Sequence, residues 1–371
     1  MATAGLEPPP RVVDASLLVA VGVMLATGVV SLVSGRPVDA WMFDVHAVAG
    51  LATLVLLFWK LRRVRYRLSP DRLDATRALS VLLAAVTTAA LATGVWWVFG
   101  GRLDLGPWGL LSLHIGLGLV VPVLLVLHLR RRFSLPRRET VEDRRNALRY
   151  AAVVGTGALA WRGQESANRL LETAGADRRF TGSREDGSDD GNDFPVTSWV
   201  ADDPDPVDAD AWTLTVSGRV GSRLSLSHDE VTPGGDGQAT ARTENGVGVD
   251  PDGELRALLD CTSGWYSEHD WQGVRVGDLL DAADAERSAD WVQFRSVTGY
   301  RWSLPTAEAR DALLATRVDG QPLAHGHGAP MRLVAPGRRG FQWVKWVEDV
   351  RVTRRRGLGE WVAVFVSGFD A

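Results

Sequence analysis

Four apolar stretches, at roughly residues 14–34, 40–60, 77–100 and 106–129, constrain this chain more than any other feature. Each reaches the ~20 residues that a helix needs to cross the hydrocarbon core of a bilayer. The sequences between them are sorted by charge. KLRRVRYRLSPDRLDATR joins the second and third stretches, and LRRRFSLPRRETVEDRR follows the fourth. The loops after the first and third carry one arginine each, Arg36 and Arg102. Basic loops remain on the cytoplasmic side. The chain therefore reads as a multi-pass protein of the cell membrane, embedded in lipid. Residues 1–13 form a cytoplasmic tail without a cleavable-signal pattern, and the second and fourth segments run from outside to inside.

Charge also divides the chain in two. Residues 1–179 carry 22 Arg and Lys against 13 Asp and Glu, whereas residues 180–371 carry 19 against 32. A basic, apolar half followed by an acidic one separates a membrane part from a soluble part. The arginines flank apolar segments and do not interleave with aromatics on a soluble face, which argues against nucleic acid as a partner. Residues 133–180 connect the halves. Their apolar run, Ala151 to Trp161, is short for a span unless the flanking Arg149 and Arg162 snorkel. A fifth crossing there would place the acidic half outside the cell. Without it, the same residues form an amphipathic or buried helix and that half stays in the cytoplasm. The pair Arg144–Arg145 ahead of this run has the look of an uncleaved twin-arginine signal. GSREDGSDDGND, residues 182–193, reads as a flexible acidic linker.

The apolar half repeats itself. ATGVVSLVSG from Ala26 matches ATGVWWVFGG from Ala92, and VHAVAGLATLVLLFWKLRR from Val45 matches LHIGLGLVVPVLLVLHLRR from Leu113. The second match sets His46 against His114 and Lys60 against His128. Ionisable groups inside membrane helices are expensive and default to functional hypotheses. His46 and His114 fall at equal depth near the outer ends of parallel helices. Facing each other they could hold a haem iron, the plainer alternative being hydrogen-bonded packing. His128 lies about 21 Å further in on the same helix face. With Lys60 as its mate, a second haem there lacks its second imidazole.

These hairpins and their histidines resemble the cytochrome b561-like, or bacterial di-haem, membrane cytochromes over residues 14–132. The resemblance implies an all-α four-helix bundle with haem b on His46 and His114. It leaves His128 as a candidate for a second haem, and implies exchange of electrons with the quinone pool.

The acidic half holds the only cysteine, Cys261, in LDCTSGWYSEHDWQG. A lone cysteine makes no intrachain disulfide, which leaves packing, a reactive thiol or a metal ligand. The small residues Thr262, Ser263 and Gly264 would let a bulky group approach the sulfur. Around it, WTLTVSGRV reads as a strand and VRVGDLLDAADA as a short strand and helix. DWVQFRSVTGYRWSLPTAEARDALLATRVDG reads as strand, turn, strand and helix. MRLVAPGRRGFQWVKWVEDVRVTRR reads as strand, glycine turn, strand and strand. VTPGGDGQATARTENGVGVDPDGE is a loop insertion. The fold expected for residues 181–371 is α+β and mostly β.

Motifs in this half fall in a telling order: FPVTSW at Phe194, LDCTSGW at Leu259, W-x-G-V at Trp271, GYRWSLP at Gly299, and VDGQPLAHGHGAPMRLVAPGRRGFQWVKWV from Val318. Over roughly residues 190–355 they resemble the molybdopterin-binding domain of the sulfite oxidase family, especially its one-domain bacterial branch with periplasmic sulfoxide reductases. The resemblance implies a molybdenum–molybdopterin cofactor ligated by the Cys261 thiolate, a soft donor suited to a redox metal. It implies pterin contacts from His327 and from Arg332, whose planar fork suits a phosphate or pterin edge. Lys345 would join them, with backbone contacts at Trp343 and Val344. Thr197, Ser198 and Ser296 match more loosely, and Tyr300 takes the place of the tyrosine beside the substrate.

One departure stands out. Sulfite oxidases follow the cysteine with arginines that bind the sulfite anion, and TSGWYSEHDW has none. A neutral small-molecule oxo donor, a sulfoxide or an N-oxide, suits that stretch better. Arg338 and Arg339 read as turn arginines, His325 and His269 as surface histidines, and His228 as a loop residue. The expectation is a membrane-anchored molybdoenzyme with its pterin domain outside the cytoplasm, catalysing two-electron oxygen-atom transfer. The alternatives are a sulfite-type oxidase running the other way, and a metal-free binding or redox-sensing module on the same fold.

Overall fold

A computed structural model of the protein describes residues 8–65, 74–101, 103–105, 108–132, 144–198, 202–234, 241–242 and 248–366. The arginine-rich loops at 66–73 and 133–143, Arg102, and residues 235–240 and 243–247 of the 231–254 insertion lie outside the described residues. The chain forms two compact units, residues 1–184 and 185–371.

The first unit is helical: α1 (Pro10–Ser31), α2 (Ala40–Val64), α3 (Ala75–Phe99), α4 (Leu110–Arg132) and α5 (Arg144–Leu170). Four helices, essentially α1 to α4, are long and apolar enough to cross a membrane. Asp74 caps α3, its carboxylate accepting the Arg77 N–H at 2.8 Å. α1 packs on α2 and α3 on α4, while α5 lies along α2. Gly157 of α5 comes so close to α2 that a Cβ there would meet the Val48 carbonyl oxygen at 2.5 Å. One turn further along α5, the Trp161 indole donates to Asp44 at 3.1 Å. α5 therefore runs antiparallel to α2, and its C-terminal end meets the start of α2.

The chain after α5 closes over the end of α3. A helix leaves its last carbonyls without intrahelical partners, and here side chains supply them. Asn168 donates to the Val98 carbonyl at 3.1 Å and Arg184 to that of Trp97 at 2.5 Å. Arg184 also lies 4.3 Å over the Trp97 ring, while the Trp97 indole donates to the Gly182 carbonyl and Phe180 meets Phe43 edge to face.

The second unit is built on two sheets. Its main strands are β1 (Thr213–Gly218), β2 (Leu224–Ser227), β3 (Gly253–Asp260), β4 (Trp265–Arg275), β5 (Trp291–Ser296), β6 (Arg301–Pro305), β7 (Leu313–Val318), β8 (Arg332–Val334) and β9 (Val347–Thr353). One sheet has the order β6–β5–β9–β1–β2, antiparallel except for β9 beside β1. The other joins β3 to β4, β4 to β7 and β7 to β8. The core between them is rich in large side chains, including Trp271, Trp302, Phe294 and Leu314. The mixed, mostly β architecture agrees with the sequence.

Three details differ from it. LLATRV is the strand β7, because its burial on both faces needs no alternating pattern. FQWVKW is no strand: Gly340–Gln342 turn as a 3-10 helix, and the N–H of Leu333 pairs with the Val344 carbonyl at 2.8 Å. Residues 182–193 are no free linker either. The N–H groups of Asp186 and Asp189 donate to the Tyr266 and Glu268 carbonyls on β4, so its open edge captures the segment.

Candidate active site around Cys261

Strands β3 and β4 form a hairpin in register Asp260 to Tyr266, and Cys261 begins its turn. The Cys261 N–H donates to the Trp265 carbonyl, and the Gly264 N–H returns to the Cys261 carbonyl at 3.1 Å. Gly264 has φ 101°, a conformation that only glycine adopts without strain. The thiol is therefore buried but held at a loop tip, with the Ser263 hydroxyl 3.1 Å from its sulfur. Ser263 lies 3.4 Å from Thr197, whose hydroxyl accepts from the Trp265 indole at 3.1 Å.

Cations gather here from the C-terminal third. Arg332 is buried, 5.1 Å from the Trp271 ring and 5.7 Å from that of Trp343. No carboxylate pairs with it among the described residues, and burial holds its guanidinium down at about 9, with Cys261 acting weakly the other way. Lys345 donates to Ser198 at 3.1 Å and to the Gly326 carbonyl at 2.8 Å. Burial first, then Arg332, brings its ammonium down to about 8. His327 stacks on Phe194 at 3.7 Å, its Nε2 2.9 Å from the Asn192 carbonyl oxygen. Burial, reinforced by Arg332, keeps His327 neutral with a pKa near 4. A thiol, two cations and a neutral imidazole thus converge, and the buried, uncompensated guanidinium is a host for an anion.

The remaining sequence-selected residues divide. The Tyr300 hydroxyl donates to the Phe341 carbonyl at 2.5 Å, and burial raises its pKa. Gly340, next to Phe341, packs against Cys261, so Tyr300 belongs to this cluster. Ser296 is wholly buried, with its hydroxyl accepting from Thr298. The Trp343 N–H is spent on the Gly340 carbonyl, so what this residue presents to Arg332 is its ring.

Several polar residues sit deeper than their sequence context implied. His269 is fully buried with Nδ1 2.6 Å from Asp319. It shares the inner face of β4 with Trp265, Ser267 and Trp271, and that period-two phase was the available signal. Arg339 is buried too, paired with Asp260 at 2.8 Å. His325 is half-buried against the Pro204 carbonyl and Arg338 pairs with Glu308. Asp202, absent from any motif, is buried and accepts from Thr298; burial raises its pKa.

The helical unit holds a second cluster. The His46 and His114 rings lie 6.2 Å apart between centroids. His46 Nδ1 meets the Thr27 hydroxyl of α1 at 3.0 Å, and His114 Nδ1 lies 2.9 Å from the Ala90 carbonyl oxygen and 3.4 Å from Thr93 of α3. Both Nδ1 atoms are thus engaged, and Nε2 is the ring nitrogen outside these contacts. Gly28 and Gly94 flank the rings, where a Cβ would lie 3.4 Å and 2.9 Å from the Cε1 atoms. At the opposite ends of these helices, Lys60 pairs with Asp14 at 2.7 Å and His128 Nδ1 lies 3.2 Å from the Ser80 hydroxyl.

This geometry gathers a thiol, two cations and an imidazole in the second unit, and comparison with known proteins gives the class of that unit. Residues 201–361 match the family described as the oxidoreductase molybdopterin binding domain. An uncharacterized oxidoreductase, YuiH, of Bacillus subtilis is 29% identical over 171 residues, covering 45% of this chain and 78% of that protein. The catalytic subunit of a protein-methionine-sulfoxide reductase from Xanthomonas campestris is 28% identical, over 40% of this chain and 47% of its own. Human mitochondrial sulfite oxidase is 31% identical, over 44% and 33%. The chain is an oxidoreductase with a molybdopterin-binding domain, and sulfite oxidases and methionine-sulfoxide reductases are among the relatives of that domain. It spans less than half the length of the last two.

Proposed function

We propose that the chain is a membrane-anchored molybdoenzyme that reduces a neutral sulfoxide or N-oxide with electrons drawn from the quinone pool. The observation that carries the cofactor is Arg332, a buried guanidinium with no carboxylate partner among the described residues, beside the lone thiol. An isolated charge is costly to bury. Arg332 would meet the anion of a phosphate-bearing pterin, with Lys345 and neutral His327 beside it, and the Cys261 thiolate would ligate the metal. Molybdenum, when bound, supplies the two-electron oxygen-atom chemistry. Tyr300 stands by the substrate, and the aromatic and hydroxyl groups at Trp265, Ser263 and Thr197 form the polar but uncharged surroundings of the sulfur.

Substrate charge follows from the cations near the thiol. Arg332 and Lys345 belong to the cofactor, and Arg339 is neutralised by Asp260. A neutral oxo donor fits that balance better than the sulfite anion, and the similarity to a protein-methionine-sulfoxide reductase agrees with it.

His46 and His114 would hold the iron of a b-type haem between them in this reading. Two metal–nitrogen bonds of about 2 Å, with a ring radius beyond each, set ligating imidazoles roughly 6 Å apart between centroids. The observed 6.2 Å matches that spacing. At the inner end Lys60 is committed to Asp14, which supports a single haem. The antiparallel course of α5 along α2 supports a fifth crossing, with the pterin domain outside the cytoplasm.

Metal and haem quantitation on detergent-solubilised protein tests this directly. Near one molybdenum per chain is expected, falling below a tenth in Cys261→Ala, together with one b-type haem lost in His46→Ala. Turnover with methionine sulfoxide as acceptor, against sulfite as donor, decides the direction; sulfite oxidation alone would refute the neutral-substrate assignment.

A further inference from the structure

The pair Arg339–Asp260 sits behind the cysteine, and the motifs that contain these two residues assign neither side chain a role. Both side chains are at most 4% exposed, with Nη1 to Oδ1 at 2.8 Å. A second guanidinium nitrogen donates to the Cys261 carbonyl at 3.2 Å. Arg339 is itself fixed, its N–H donating to the Gln342 side chain at 3.0 Å and its carbonyl accepting the Gln342 N–H at 2.8 Å. Asp260 and Arg339 also form an isolated parallel bridge between their backbones. Gly340 permits this approach, since a Cβ there would lie 3.2 Å from the Cys261 Cα.

We infer that Arg339 and Asp260 are positioning residues that fix the direction and the electrostatic setting of the Cys261 thiolate. This inference rests on Cys261 being the ligand of molybdenum. The physical case has two parts. A thiolate's direction is set by its backbone, and here the N–H and carbonyl of Cys261 are held by Trp265, Gly264 and Arg339. Groups that orient a metal ligand typically carry 10–100-fold in metal affinity or activity. The pair also places two opposite charges beside the sulfur. Together they nearly cancel, so the backbone is clamped without drawing an anion to the metal. Singly, each would shift the field at the metal in its own direction.

That difference in sign separates positioning from plain structural support. Arg339→Gln leaves an extra negative charge beside the site and lowers the molybdenum midpoint potential. Asp260→Asn leaves an extra positive charge and raises it. Arg339→Gln/Asp260→Asn, neutral and still hydrogen-bonding, returns it towards wild type, as does Arg339→Lys. Potentiometric titration at pH 8, followed by the electron-paramagnetic signal of the half-reduced metal, reads these shifts. Sulfoxide turnover falls at least tenfold in each single variant and recovers in the double. Single variants that shift the same way, or not at all, while retaining molybdenum would overturn the inference. Should a single variant not fold, a double variant whose signal and turnover differ from wild type overturns it as well. A wild-type protein without molybdenum is a different result, which removes the ligand assignment beneath it.

Discussion

Replacing Arg332 with methionine should stabilise the cofactor-free protein while abolishing its capacity to hold the cofactor. The guanidinium has no carboxylate partner among the described residues, and burial brings its pKa from 12.5 to about 9. That difference corresponds to a penalty of about 5 kcal/mol on the charged form. Methionine keeps much of the apolar contact with Trp271 and Trp343 but forfeits two cation–π contacts, each about 1–2 kcal/mol when desolvated. A net gain on the order of 2 kcal/mol remains, or roughly 4–8 °C in Tm for a unit of this size. The penalty applies at every pH below about 9, because the folded state is the one that resists the proton. The gain is therefore constant between pH 5 and 8. Thermal unfolding of protein made without molybdenum, in detergent, measures it, and metal analysis of protein made with molybdenum measures the loss of cofactor. An Arg332→Met protein that is less stable without cofactor, or that keeps its molybdenum, would refute the reasoning.

Other outcomes follow from single contacts. Gly94→Ala should displace the His114 ring, since its Cβ would lie 2.9 Å from Cε1, and the b-type absorption should fall several-fold. Gly28→Ala, at 3.4 Å from His46, should leave that absorption nearly intact; equal spectra in the two variants would count against haem between these rings. His327 has its pKa lowered from 6.5 to about 4 by burial, so unfolding takes up a proton that the folded state refuses. Stability without cofactor should fall by on the order of 2 kcal/mol as pH drops from 6.5 towards 4, and His327→Gln should flatten that slope in denaturant titrations. Asp319→Ala strands buried His269 and removes acceptors from the N–H groups of Gly191 and Asp270. A loss of about 3–5 kcal/mol is expected, measured as a lower denaturation midpoint of the second unit.

The helices α1 to α4 were legible because nothing else uses runs of twenty apolar residues. Cys261, Arg332, His327 and Lys345 were legible as a set through their motifs, and the fold brings them together. What escaped was the burial of polar residues. Arg339 reads as a turn arginine because its partner Asp260 lies far away in sequence, and only the bridge between their backbones brings them together. His269 was misplaced for a similar reason, its carboxylate being on Asp319 in a distant turn. The C-terminal helix α6 (Glu360–Val366) carries no motif. It is short, and its Trp361 acquires meaning only against Trp302.

The position of β9 has a consequence for the order in which the site is assembled. This last strand enters between β5 and β1, and its neighbour β1 is the first of the main strands named above. The sheet therefore stays open until the end of the domain has been made. At roughly 5–20 residues per second, the Cys261 hairpin leaves the ribosome several seconds before β9 does. Lys345 arrives with β9, so the cluster around Cys261 is completed only as the strand inserts. Pairing across so long a stretch of chain is slow. The cluster around Cys261 is thus among the last parts of the domain to be completed.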